Sequence, residues 1–135
     1  HLLPHVALSE IVSEEDGHGR RFRYRLAGTR IEERFGCALT NRCLDELKQG
    51  PYLEYIVGLY ERIIAEKMPI YSEGSFSDGE ENTLWAKRLM LPLSEDGATV
   101  TMVLAGILYL DSGPAHRTTV LRVQDRFQPS GPDAC

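Results

Sequence analysis

Cys37 and Cys43 stand six residues apart, whereas a zinc site wants a closer cysteine pair, and His5, His18 and His116 do not supply two further ligands at a matching spacing. The expectation is no metal, with the thiols buried or half-exposed and inert. His5 falls on the first expected strand, His18 in a polar turn and His116 in the carboxyl-terminal tail, places that suit surface or capping roles better than a ligand or base. No glycine-rich phosphate loop, Ser-His-Asp order or paired-carboxylate motif stands out, and Glu32-Glu33 and Glu80-Glu81 read as solvated charges. Arg21, Arg23 and Arg25 form a row on one strand face, where planar donors could grip a phosphate or an acidic segment. The preferred reading is plainer: a sheet edge kept soluble by charge, because the chain is acidic and no aromatic platform is interleaved on that face.

Fifteen Lys+Arg against twenty Asp+Glu leave a net charge of −5 over 135 residues. That balance argues against a general attraction to nucleic acid or to an anionic membrane. The longest nearly unbroken apolar run, Met102 to Leu110, falls far short of the roughly 20 residues that span a bilayer. No charged-then-apolar signal peptide opens the chain, and three cysteines cannot all pair within one molecule, so a reducing cytoplasm is expected.

These residues must be held by a core, and 42% apolar with 26% charged side chains is the profile of one globular domain. His5 to Glu14 alternates as a strand, and Gly17 and Gly19 supply a turn. Arg21 to Leu26 is the clearest strand, with Phe22, Tyr24 and Leu26 on one face. A short helix follows over Arg30–Phe35, stopped by Gly36, and a further single turn within Leu39–Leu47. Gly50-Pro51 opens the one long helix, which ends at Lys67 and stripes Tyr52, Ile56, Leu59, Tyr60, Ile63 and Ile64 on one side. Gly58 within it is expected to mark a close backbone approach. Beyond Pro69 the period returns to two, giving strands over Ile70–Phe76, Leu84–Leu93 and Thr99–Asp111. The second of these puts Trp85, Leu89, Leu91 and Leu93 on one face. The third is apolar on both, with Met102, Leu104, Gly106 and Leu108 assigned to the core side and Val103, Ala105, Ile107 and Tyr109 to the other. From Ser112 the composition turns to Gly, Pro, Ser and charge, with Thr119–Val123 the one stretch able to order.

This is an α+β domain: an antiparallel sheet of about five strands, with short helices and one longer helix on one face. The order matches the PAS fold. The runs Arg21-Phe22-Arg23-Tyr24-Arg25-Leu26-Ala27-Gly28-Thr29, Phe35-Gly36, Leu39-Thr40-Asn41-Arg42-Cys43-Leu44-Asp45-Glu46-Leu47 and Arg88-Leu89-Met90-Leu91-Pro92-Leu93 resemble a bacterial subfamily of stand-alone, single-domain PAS proteins. The resemblance makes residues 3–111 a sensory or interaction domain and 112–135 a tail, ordered in part at most. The subfamily usually has Gly at the position of Asn41, a residue that also accepts left-handed angles. Flavin-binding PAS photoreceptors carry their cysteine in an Asn-Cys-Arg-Phe-Leu-Gln run. Asn41-Arg42-Cys43-Leu44 has another order and lacks the Phe and Gln, so its thiol would not sit over the flavin ring. Haem-binding PAS sensors commonly use a histidine on the long helix, and Tyr52 to Lys67 contains none.

The resemblance implies a pocket between sheet and helices, drawn from Tyr24, Leu26, Phe35, Tyr55, Leu59, Ile63, Trp85, Leu89, Met102 and Leu104. The same residues also make an ordinary core, and sequence alone does not separate a filled one from a hollow one. The expected function is non-enzymatic: binding a small ligand or a partner and signalling by a change in packing or assembly. The rivals are a small α+β enzyme using Tyr24, Asp45 or a histidine as base, and a scaffold with a solid core. The resembled proteins cover the outer sheet face with an amino-terminal helix. Here, with the first strand close behind His1, a second copy, the tail or both are expected to cover Val103, Ala105, Ile107 and Tyr109 as an interface, most simply as a symmetric homodimer. The ligand stays unnamed, with flavin and haem disfavoured. Purified protein should therefore show no flavin or haem absorbance; a visible band stoichiometric with protein and removed by Cys43→Ala would overturn this.

Overall fold

Alternation over Arg21–Arg25 buries Phe22 and Tyr24 and turns the intervening arginines outward in β2 (Arg20–Ala27), which folds back on β1 (Val6–Ser13) as an antiparallel hairpin whose register shifts between Leu8 and Ser9, so that Leu26 leaves the buried side. The computed structural model describes residues 2–17, 19–48, 50–77, 83–110 and 119–122. A single 3₁₀ turn, Leu3–His5, precedes β1, so His5 lies outside the strand. Three helices follow β2. The first, α1 (Thr29–Phe35), stops at Gly36, whose φ of 76° lets its amide bond the Glu32 carbonyl. One turn, α2 (Leu44–Leu47), leads to α3 (Gly50–Glu66), which buries Ile56, Leu59, Tyr60 and Ile63 along one stripe. No helix among the described residues is long and apolar enough to cross a membrane.

The remaining strands are β3 (Ile70–Ser77), β4 (Thr83–Leu93), β5 (Met102–Leu110) and a short β6 (Thr119–Arg122). They give one antiparallel sheet in the order β2-β1-β5-β4-β3-β6. The five expected strands are all present, and β6 falls in the one tail segment that the sequence marks as able to order. Pairing of β1 with β5 closes the sheet at its centre, with Ala7 opposite Ala105 and Ser9 opposite Val103. The far edge of β2 is also covered: Asn41 N–H donates to the Tyr24 carbonyl, Tyr24 N–H donates to that of Arg42, and Asn41 takes a φ of 67° to allow it.

Register shows which side of each strand meets the helices, and for β4 and β5 it inverts the expected faces. Val103 is fully buried and Ala105 and Ile107 nearly so. Their direct partners Ala7, Ser9, Arg88 and Met90 are buried with them. Leu104, Leu108, Leu89 and Leu93 lie on the opposite face, where Leu108 is 50% exposed. Both faces of β5 are apolar, so hydrophobicity does not choose between them; volume does. Small side chains at Ala7, Ala105, Ala86 and Gly74 leave room above the sheet for the rings of β2 and α3, among them Phe22 stacked on Tyr60 at 4.3 Å.

Two glycines separate close approach from free space. A Cβ on Gly28 would lie 2.3 Å from the carbonyl oxygens of both Leu3 and Pro4, whereas Gly58, expected to mark a tight contact, is exposed with nothing within 4 Å of a Cβ. In urea titrations Gly28→Ala should lower stability by about 1–3 kcal/mol or more, and Gly58→Ala should raise it by about 0.5–1 kcal/mol. A destabilising Gly58→Ala would show that another surface packs on that side of α3.

Candidate functional site

The inner faces of β1, β4 and β5, together with β2, α1 and α3, surround a cavity of about 20 Å³, room for one water molecule. Apolar side chains such as Ile56, Met90, Ala105 and Ile107 make part of its wall, and Tyr24, Phe35, Tyr52, Tyr60 and Tyr109 bring rings to it. Tyr24 and Phe35 meet edge to face at 6.1 Å, and Tyr60 donates its hydroxyl proton to Ser9 Oγ at 2.7 Å.

Arg88 projects into this wall from β4 and is 3% exposed. Its Nη2 donates to Tyr52 Oη at 3.1 Å, and its guanidinium lies 5.8 Å from the Tyr52 ring centre and 6.0 Å from that of Tyr55. Among the described residues it makes no ion pair, and Nη1 has no hydrogen-bond partner. Two neighbouring polar atoms also lack a partner at hydrogen-bond geometry: Tyr109 Oη, which nevertheless lies near enough to Arg88 to feel its donors, and Oγ of the fully buried Ser72, which stands opposite Arg88 on β3. Desolvation works against the charge of Arg88, but the oxygens of Tyr52, Tyr109 and Tyr55 offset it, so its pKa stays above the ordinary arginine value. Burial likewise pushes the Tyr24 hydroxyl well above the usual phenol range, that of Tyr60 up to about 12, and that of Tyr109 upward. At neutral pH the site therefore presents one cation and neutral phenols, a set of hydrogen-bond donors without a base.

The residues expected to line a pocket divide between the two faces of the sheet. Tyr24 and Phe35 line the cavity, Tyr55 lies beside Arg88, and Leu59 and Ile63 are buried in the core around it. Leu26, Leu89, Met102 and Leu104 lie on the outward face, Leu26 being 52% exposed; Trp85 shares that parity although it is buried. The expected interface has the opposite fate. Val103, Ala105, Ile107 and Tyr109 point inward, and the last three line the cavity, so they are not an exposed docking surface. A shift of phase in β4 and β5 produces these corrections, apart from Leu26, which the register shift between Leu8 and Ser9 in the β1–β2 pairing turns away from the side of Tyr24. Two residues of the wall, Arg88 and Tyr52, are not among the expected pocket residues, although Tyr52 is on the expected apolar stripe of α3. A signal for Arg88 exists, because adjacent Lys87 and Arg88 in one strand must point to opposite faces, leaving one of them under the helices.

The other candidates lie away from the cavity. Arg21 grips Asp45 with two hydrogen bonds, at 2.9 and 2.8 Å, and reaches Glu46 at 3.1 Å. This grip holds the Asp45 carboxyl below its usual range, an ionised surface group rather than a buried base. Arg23 and Arg25 pair with Glu10, so the arginine row is occupied by the protein's own carboxylates. Cys43 is buried at the start of α2 with its thiol pKa raised by desolvation, and Cys37 Sγ accepts from Arg42 at 3.3 Å. No group of three His, Cys, Asp or Glu among the described residues is placed to hold a metal ion. His18, His116, Glu80 and Glu81 lie outside the described residues.

A five-stranded antiparallel core in the order 2-1-5-4-3, with its crossover helices packed on one face above a small cavity, defines an α+β domain of one sheet covered on one side. A family model described as PAS domain matches residues 6–109, and the chain belongs to the PAS domain family. No curated protein matches it.

The buried phenols set a pH limit. Their folded pKa values lie above the unfolded one, so their contribution to stability is whole below pH 10 and is lost as the pH rises through the folded values, for Tyr60 between 10 and about 12. Stability should hold to pH 9–10 and then fall steeply, and at least three of the six tyrosines should show phenolate absorbance only as the protein unfolds. Full phenolate absorbance in a protein that retains its native circular dichroism would contradict this.

Proposed function

We propose that this PAS domain is a non-enzymatic sensor that takes a small molecule into the cavity between the helices and the inner face of β4 and β5. The carrying observation is Arg88, a buried cation with an unpartnered Nη1 facing a cavity wall that also holds the unpartnered hydroxyl of Tyr109. Buried donors are nearly always satisfied, and a group that is not calls for an explanation. A bound molecule with acceptor atoms supplies one.

Ligand sites commonly enclose 300–1,000 Å³, so a hole of about 20 Å³ is the closed form of such a site. Binding must then displace side chains or helices, and that repacking is the signal. Its output runs through the outward face of the same strands, where Leu26, Leu89, Leu93, Leu108 and Leu110 are exposed. These leucines, in place of Val103, Ala105, Ile107 and Tyr109, form the surface for a second copy or a partner chain. The small volume also favours one rival, a scaffold whose core is simply solid.

Native mass spectrometry of the purified protein, followed by a thermal-shift screen of small polar and amphiphilic compounds, separates the two. The sensor reading expects a retained molecule or a screened one that stabilises by about 2.7 kcal/mol at a hundredfold excess over Kd. Ala105→Val, which adds bulk at the cavity wall, should abolish that gain while circular dichroism stays native. No retained mass and no stabilising compound would establish the solid scaffold.

A further inference from the structure

Charge and access together narrow the ligand class, on the reading that the cavity is a ligand site. Arg88 carries one positive charge into an interior with no carboxylate to meet it among the described residues. Glu73, on the adjacent strand β3 as the register partner of Lys87, belongs to the outward face. An ion taken out of water without a counter-ion is strongly penalised. A neutral ligand would leave that penalty in place, and a dianion would replace one buried net charge by another. A monoanion cancels it. Guanidinium presents parallel N–H donors that match the two oxygens of a carboxylate, and the Tyr109 hydroxyl is a further donor at the same wall. The rest of the wall, including Ile56, Met90 and Ile107, suits an apolar body.

Tyr109 also connects this interior to the surface. It lines the cavity on one side and, on the other, a cleft of about 390 Å³ with His5, Arg30, Glu33 and Arg34. Arg34 lies over the Tyr109 ring at 5.4 Å, and its buried Nε has no hydrogen-bond partner. Arg30 is engaged by Glu33 at 3.3 Å, whereas Arg34 stacks on the ring. Tyr109 thus stands in the linings of both, with Arg34 on the cleft side and Arg88 on the cavity side.

We propose that the cavity is specific for a small monocarboxylate with an apolar body, which enters from the Arg34 cleft past Tyr109 and pairs its carboxylate with Arg88.

The test compares benzoate and butyrate with benzamide and butyramide, and with inorganic phosphate, by thermal shift and calorimetry on the full chain. The acids should bind, and their uncharged amides and phosphate should bind roughly tenfold to a hundredfold more weakly or not at all. Arg88→Met should lose discrimination between acid and amide. Should that variant fail to fold, Tyr109→Phe, which keeps the ring and removes the donor, should still weaken the acids several-fold, and Arg34→Gln should slow their association more than their dissociation. Amides that bind as well as acids, phosphate that binds better, or an Arg88→Met protein that still prefers acids would overturn the carboxylate assignment while leaving the cavity a ligand site. If neither these probes nor any screened compound binds, the carboxylate assignment and the sensor reading fall together.

Discussion

Ala7 opposite Ala105 at the middle of the sheet is the pairing on which the interior depends. Facing residues on adjacent strands share a side, so this pair and its neighbours, Ser9 with Val103 and Met90 with Ala105, commit the side chains of three strands to the helix-covered face at once. Their small size then decides what can stand above them. Phe22, Tyr24 and Tyr60 fill the space with rings. A one-residue slip of β5 would bring Leu104 and Leu108 inward, where the present rings leave no equivalent volume, and would turn Ile107 and Tyr109 to water.

Arg88 follows from the same commitment. With Ile107 opposite it on one side and Ser72 on the other, both inward, the arginine has no route to solvent along the sheet. Its charge is met by phenols: an oxygen from Tyr52 and the ring faces of Tyr52 and Tyr55. Neutral partners soften the loss of water without cancelling the charge. Lys87, its neighbour in sequence, illustrates the alternative, since it faces outward and lies 3.9 Å from Glu73. Two adjacent cations in one strand thus have opposite electrostatic lives because the strand period is two.

Element identity and order were legible because each rests on local pattern. Phe22 and Tyr24 alternate with arginines, the stripe of α3 has a helical period, and Gly36 stops α1 at the expected place. What resisted reading was the phase of β4 and β5. Periodicity identifies the two faces of a strand but not which one is inside, and β5 is apolar on both. Only the helix side settles the choice, through the volume of rings contributed from 50 or more residues away in the chain, as with Tyr60 bonded to Ser9. The candidate site suffered most where it was assembled from those strands: Ala105, Ile107 and Tyr109, expected at the interface, line the cavity, and Leu89, Met102 and Leu104, expected in the pocket, lie on the opposite face. Tyr24 and Phe35, set by β2 and α1, do line the cavity, whereas Leu26, two residues beyond Tyr24 in the same strand, is turned outward by a register shift that alternation alone does not reveal.

The elements around the cavity differ in how firmly they are held. On the sheet side, every wall residue belongs to a strand paired along both edges or, in β2, along one edge with the 41–43 segment closing the other. On the helix side, α1 is seven residues long and α2 four, lengths at which a helix is not stable on its own and depends on its packing. Yet α1 carries both Phe35, which lines the cavity, and Arg34, which lies over Tyr109. Lys48, just after α2, lies over the Phe35 ring at 4.9 Å and the Tyr52 ring at 5.9 Å, tying the short helices to the phenol that holds Arg88. Any enlargement of the cavity therefore meets least resistance at α1 and α2, because they are tied to the sheet by side-chain contacts and a few backbone hydrogen bonds at Gly28, Asn41 and Arg42, whereas moving β4 or β5 breaks backbone ladders on two sides.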